Sequence, residues 1–274
     1  MEKDKIKTAY LKRICIFLFS GTGMTEYVID KIGLELEKQQ AQVDVYSVEA
    51  AQIQTMRLDT YDAIGIAYPV HAFNAPRIVI DLARRLPETD TLRAFVISTA
   101  GADHPVNFAS SKLLIKILCK KGFDVFYDKQ FVMPSNFVLK YDEQQVKKLI
   151  ENVKAEIPRT AQEIINCSSC RRKAGFATNI MAFIGRAEWF GAKFMGRSFY
   201  ADQNCSRCGV CARNCPNHNI IVAKGRARFK WRCGLCMRCL YICPKHAIKV
   251  HPPFKFISFT EWYPNDELLA ARKK

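Results

Sequence analysis

The sequence predicts an α/β fold for residues 1–166, a doubly wound five-stranded parallel sheet, followed at residues 201–250 by a small α+β domain built around cysteine. Three observations predict it. Short apolar runs alternate with segments of helical period through the first 166 residues. Residues 205–243 hold eight cysteines in two runs of identical spacing. Charge divides at the same place: residues 1–166 carry 22 Lys/Arg against 21 Asp/Glu, whereas residues 167–274 carry 20 against 5. A length of 274 residues with 49% hydrophobic content suits two compact units with sizeable cores.

Residues 13–19 form an apolar, aromatic-rich run that reads as a buried strand. It leads into Ser20-Gly21-Thr22-Gly23-Met24-Thr25, after which Val28, Ile32, Leu34 and Leu36 recur at roughly helical spacing among charged residues. A hydroxyl-rich loop between strand and helix offers backbone N–H groups at a helix N-terminus, where a phosphate is favoured. No Lys-Ser/Thr closes the loop, so it is not a nucleotide P-loop. It lacks G-x-G-x-x-G, so it is not a dinucleotide fingerprint either. An ordinary turn remains open on these residues alone.

The alternation continues with strands at 42–48 and 61–67, a loop at 68–76 and a helix at 77–86. A strand at 94–98 with a loop at 99–105, a helix at 108–121 and a strand at 125–132 complete the sheet. A long helix at 143–165 is expected to break or bend at Pro158. Ligands of such sheets bind beyond the carboxyl ends of the strands. The loops after the first, third and fourth strands are therefore the candidate site.

Residues 167–200 read as a linker and an amphipathic helix. Cys167-x-x-Cys170 suits a redox pair, half a metal site or two free thiols, and the absence of a nearby second pair favours free thiols. Phe176, Ile180, Phe183, Ile184, Ala187, Phe190 and Phe194 make an apolar stripe with Arg186, Lys193 and Arg197 off it. The stripe is expected to pack on a neighbouring domain. The other reading is a membrane surface.

The cysteines read Cys205-x-x-Cys208-x-x-Cys211-x-x-x-Cys215-Pro216, then sixteen residues, then Cys233-x-x-Cys236-x-x-Cys239-x-x-x-Cys243-Pro244. This is the ligand run of a bacterial-type two-cluster 4Fe-4S ferredoxin, occurring twice. Three closely spaced thiolates cover one cube and the fourth, displaced by one residue, reaches the other. Cluster I would take Cys205, Cys208, Cys211 and Cys243, and cluster II Cys233, Cys236, Cys239 and Cys215. Zinc ribbons and disulfide scaffolds also use C-x-x-C pairs, but neither calls for three ligands at i, i+3, i+6 closed by Cys-Pro. Cys15, Cys119, Cys167 and Cys170 are left over. With no convincing secretory signal and no run of eighteen apolar residues, a soluble, reduced, cytoplasmic protein is expected.

The loop Ser20-Gly-Thr22-Gly23-Met-Thr25 resembles the flavodoxin phosphate loop, and its combination with a double 4Fe-4S run resembles the EFR-type flavodoxin-ferredoxin fusion proteins of anaerobic bacteria. The resemblance covers most of the chain, with 167–200 and the C-terminal extension 251–274 less well matched. It implies that Ser20, Thr22, Gly23, Met24 and Thr25 hold an FMN phosphate. It also implies that Pro69, Val70, Ala72, Phe73 and Asn74, with Thr99, Ala100 and Gly101, line the flavin ring. Met24 departs from the Asn of many flavodoxins, and the near-neutral first domain departs from their acidity. Gly101 is a candidate for a peptide flip beside the ring. Tyr68 and Phe73 are candidates for stacking, and His71 and His104 for proton supply.

These readings favour electron transfer between two 4Fe-4S clusters and an FMN, by a redox carrier rather than an established enzyme. An FMN-dependent reductase of an organic or haem-like substrate is the second reading, and a nucleic-acid-binding module with structural clusters ranks last. The basic half suits an acidic redox protein partner or an anionic membrane surface. Lys224, Arg226, Arg228, Lys230 and Arg232 alternate as one face of a strand beside cluster II would require.

Overall fold

A computed structural model describes residues 10–135, 141–172, 175–223, 225–252 and 254. The first domain is β1 (Arg13–Leu18), α1 (Met24–Lys38), β2 (Gln42–Ser47), β3 (Ala63–Pro69), α2 (Arg77–Arg85), β4 (Arg93–Ala100), α3 (Lys112–Lys120), β5 (Asp124–Val132) and α4 (Glu143–Ile165). The strands pair in the order β2-β1-β3-β4-β5, all parallel. This is the flavodoxin-like order, with its switch point between β1 and β3.

The central strands are buried on both faces, which is why residues 63–68 and 94–100 are apolar or small without polar alternation. One core packs α1 and α4 on the sheet through Val28, Ile32, Ile150 and Ile157. The other packs α2 and α3 on the opposite face through Val79, Leu82, Leu114 and Leu118. Between β4 and α3 a short 3₁₀ turn, Pro105–Ala109, takes in Phe108 and Ala109, which the periodicity assigned to helix. α4 is not interrupted at Pro158, and it starts from an Asp142–Gln145 capping box. Its apolar face, including Val153, Ile157 and Ala161, stays on the sheet across the proline.

The linker is tied to the sheet. Cys170 exchanges backbone hydrogen bonds with Phe126 and Asp128 at the β5 edge. Arg172 then reaches inward to the buried Asp128 (2.9 Å) and to Gln130 (2.9 Å). Next come α5 (Phe176–Gly185) and α6 (Glu188–Arg197), joined by Arg186 and Ala187 in helical conformation. The remainder holds β6 (Phe199–Ala201), α7 (Val210–Arg213), β7 (Ile220–Ala223), β8 (Arg226–Phe229), α8 (Arg238–Tyr241) and β9 (Ile248–Val250). β6 pairs antiparallel with β9, and β7 with β8. Arg226 and Arg228 are exposed while Ala227 and Phe229 are buried. Lys224 and most of the extension 251–274 lie outside the described residues. Among the described residues no helix is long and apolar enough to cross a membrane.

Candidate functional site

At the carboxyl end of the sheet the loops after β1, β3 and β4 meet around one cleft with about 860 Å³ of empty space, part of it open to solvent. Ser20, Thr22, Met24, Thr25, Pro69, Val70, Ala72, Thr99, Ala100 and Gly101 line it. Gly23 does not, because it serves as the left-handed N-cap of α1 (φ 94°) and receives no side-chain cap. Its N–H donates to Ser20 Oγ at 3.1 Å. Thr25 and Thr99, on opposite sides of the cleft floor, share a buried hydroxyl–hydroxyl bond of 2.8 Å.

Phe73 and Asn74 also stay out of the lining. Asn74 is buried, and its Nδ2 donates to Ala72 O (3.0 Å) and Ala182 O (2.8 Å), tying the β3 loop to α5. Phe73 sits at φ 66°, part of the tight turn in which His71 and Asn74 exchange backbone bonds. Tyr68 is fully buried in the α2/α3 core and not in position to stack. His104 uses Nδ1 to accept from Val106 N, capping the 3₁₀ turn rather than lining the cleft. The Gly101 carbonyl accepts from the Tyr141 hydroxyl, which favours one orientation of that peptide.

His71 does line the cleft, edge-on to Phe19. Burial pushes its pKa down to about 4, which keeps it neutral at physiological pH. Glu188, at the start of α6, was not foreseen. Burial pushes its carboxyl up to about 7, so this lining group gains and loses a proton near neutrality.

The remaining wall comes from Met133, Pro134 and Ser135 after β5, and from Leu235, Cys236 and Met237 of the second cysteine run. Contact between the two loops is tight enough to require a glycine: a Cβ on Gly21 would lie 2.2 Å from the Cys236 carbonyl oxygen. Arg238 closes the same seam. Its Nη2 donates to Ser20 O at 2.6 Å, its other amino group pairs with Glu49, and its guanidinium lies over Phe19. Nothing in the linear order puts residue 238 beside residue 20.

The eight cysteines fall into two groups of four. Cys205, Cys208, Cys211 and Cys243 line one small cavity, and Cys215, Cys233, Cys236 and Cys239 line another. About 360 Å³ of empty space, part of it open to solvent, lies at each. The backbone repeats with a period of 28 residues: Arg207 and Leu235, Gly209 and Met237, His218 and His246 are all left-handed. Each non-glycine residue held there costs about 1 kcal/mol or more, and such strain gathers at functional loops. The curvature turns backbone donors toward sulfur: Asn219 N donates to Cys215 Sγ (3.2 Å), Ala247 N to Cys243 Sγ (3.3 Å) and Leu235 N to Cys233 Sγ (3.4 Å). With protons in place, burial pushes the Cys233 thiol up to about 12. Among the described residues, no three His, Cys, Asp or Glu side chains converge as ligands of a single ion would, and no disulfide joins the cysteines.

No protein-family model and no curated protein matches the chain. Among solved structures it is similar to the Fusobacterium nucleatum flavodoxin bound to flavin mononucleotide, at 15% identity and TM-score 0.38, over 56% of this chain and 96% of that one. It is similar also to two-electron reduced Megasphaera elsdenii flavodoxin, at 17% identity and TM-score 0.37, over 52% of this chain and 98% of the other. A third is the rubredoxin oxygen:oxidoreductase of Desulfovibrio gigas, at 14% identity and TM-score 0.37, over 57% of this chain. The match takes in only 37% of that oxidoreductase.

Proposed function

We propose that the protein transfers electrons between two 4Fe-4S clusters and an FMN, with cluster II as the one adjoining the flavin. The observation that carries this reading is the shared wall: Cys236, which lines the second cysteine cavity, also lines the cleft at the end of the sheet.

The residues present fit both groups. A 4Fe-4S cube offers one iron corner to each of four thiolates, so its ligands surround a volume rather than meet at a point. The two four-cysteine cavities match the crossed ligand sets expected from the spacing. The N–H donors on Cys215, Cys233 and Cys243 would favour the thiolate form that iron binding requires. In the cleft, the Ser20–Thr25 loop at the N-terminus of α1 would hold a terminal phosphate, and Pro69, Val70, Ala72 and Ala100 would flank an apolar ring.

When bound, the clusters supply single electrons and the flavin accepts one or two. The chain's own residues do the rest. The Leu235–Met237 segment covers the cleft against water, and Arg238 holds that cover on the phosphate loop. Glu188 holds a proton at its carboxyl, while neutral His71 adds no charge to the wall. Around the cysteine cavities Arg207, Arg213, Arg226 and Arg228 are exposed and suit an acidic redox protein.

Anaerobic reconstitution tests the reading. The holo-protein is expected to carry eight irons and one FMN. Cys215→Ser should lose the cluster held by Cys233, Cys236 and Cys239, and Cys243→Ser should lose the other, read separately by paramagnetic resonance. If Cys215→Ser spares cluster II, or if one zinc binds per four thiols instead, the assignment fails.

A further inference from the structure

The apolar stripe of α5 and α6 does not pack on a neighbouring domain. Its described large members point to solvent: Phe183 is 70% exposed, Phe194 65%, Phe190 64% and Ile184 59%, with Ile180 also exposed. The opposite face, made of Ala182, Gly185, Ala192 and Gly196, meets the protein. Small residues there are a necessity, since a Cβ on Gly185 would fall 2.1 Å from Ala72 O and one on Gly196 2.0 Å from Cys233 Cβ. The pair of helices is therefore mounted by its small face and presents its large one. Water-facing aromatics at this density cost solubility, and contiguous patches of this kind mark an interaction surface.

Charge says what covers it. At about 100° per residue, the exposed stripe lies within an arc of about 120°, and Arg186, Lys193 and Arg197 flank it on one side. Each cation lies over an aromatic ring: Arg186 over Phe183 (5.8 Å), Lys193 over Phe190 (5.7 Å) and Arg197 over Trp231 (5.9 Å). Trp231 is itself 53% exposed and packs edge-on against Phe194 at 5.4 Å, widening the patch. Residues 167–200 contain a single acidic residue, Glu188, and it is half-buried in the cleft wall. A second copy is a poorer occupant, because antiparallel two-fold pairing of this face would line the same cations along one edge. Aromatic and aliphatic side chains edged by Lys and Arg are what an interfacial helix presents to lipid.

We propose that the α5–α6 face, with Trp231, docks the protein on an anionic lipid bilayer, Phe183, Phe190 and Phe194 entering the acyl boundary and Arg186, Lys193 and Arg197 meeting the headgroups. Long basic side chains suit this geometry, their stems lying along apolar surface while their charge stays at the interface. The surface is distinct from the cleft and the cysteine cavities, so it operates whatever redox groups they carry.

The test is flotation of the full-length holo-protein with vesicles of phosphatidylcholine alone, or with about a third phosphatidylglycerol. Binding is expected only to the anionic vesicles. Each Lys or Arg near such a surface is worth about fivefold in partitioning, so Lys193→Glu with Arg197→Glu should lower binding by at least about 25-fold. Phe190→Ser with Phe194→Ser should lower it by more than about tenfold through lost apolar burial. Phe190 and Phe194 lie on the solvent face, whereas Arg197 also donates to Phe229 O (3.0 Å), so unchanged cofactor absorbance and circular dichroism are required of both variants to certify the fold. Equal binding to neutral vesicles, retention of binding by the Phe190/Phe194 variant, or no flotation together with a dimer dispersed by that variant would each overturn the proposal.

Discussion

Arg238 is where the two halves of the molecule can be uncoupled. It belongs to the second cysteine run, yet its side chain donates to Ser20 O (2.6 Å) in the loop after β1 and pairs with Glu49 beyond β2, both side chains about one-fifth exposed. Such a pair falls between an exposed ion pair, worth about 0.2–1 kcal/mol, and a buried one, whose breakage costs about 3–5 kcal/mol. Adding the bond to Ser20 O, Arg238→Ala should destabilise the seam by about 2–4 kcal/mol. In a double-mutant cycle with Glu49→Ala, the coupling should be about 1–2 kcal/mol. Urea unfolding of protein reconstituted with the proposed groups, followed by flavin fluorescence for the first domain and cluster absorbance for the second, supplies the measurement. Wild type should give coincident transitions, and Arg238→Ala should separate them. A coupling below about 0.3 kcal/mol, within ordinary additivity error, would refute the claim that this pair joins the halves.

Three further perturbations follow from the same geometry. Gly21→Ala must push the Cys236 carbonyl away by about 1 Å to relieve a 2.2 Å approach, so flavin affinity should fall at least about tenfold while isolated cluster spectra hardly change, as titration with FMN will show. His71, with a pKa lowered to about 4 against an ordinary value near 6.5, binds fewer protons folded than unfolded between those values. Its contribution is present above about pH 6.5 and is lost as pH falls toward 4. Glu188, raised to about 7, acts oppositely, its contribution present below its unfolded value near 4.5 and lost as pH rises toward 7. His71→Gln should therefore flatten the acid limb of a Tm–pH profile and Glu188→Gln the neutral limb. A profile unchanged by either substitution counts against the burial that shifts them.

Sequence alone determined the strand and helix order of the first domain, because two-sided burial demands continuous apolar strands and one-sided burial demands a helical period. It also determined the grouping of the cysteines, since i, i+3, i+6 spacing lets three sulfurs face one cavity and sends the fourth elsewhere. Ten of the thirteen residues expected around a flavin line the cleft. Gly23, Phe73 and Asn74 are absent from its lining because the backbone of those loops must first close its own turns, a demand that residue type does not reveal. Glu188, Leu235 and Met237 reach the cleft from more than 160 residues beyond the phosphate loop, and no local signal could have placed them there. The amphipathic stripe shows the limit most plainly. Periodicity reports that a helix has two faces, but which face turns inward depends on what it is packed against. Here the backbone of the β3 loop and the side chain of Cys233 approach so closely that only Ala and Gly fit beneath the helices, leaving Phe183, Phe190 and Phe194 outside.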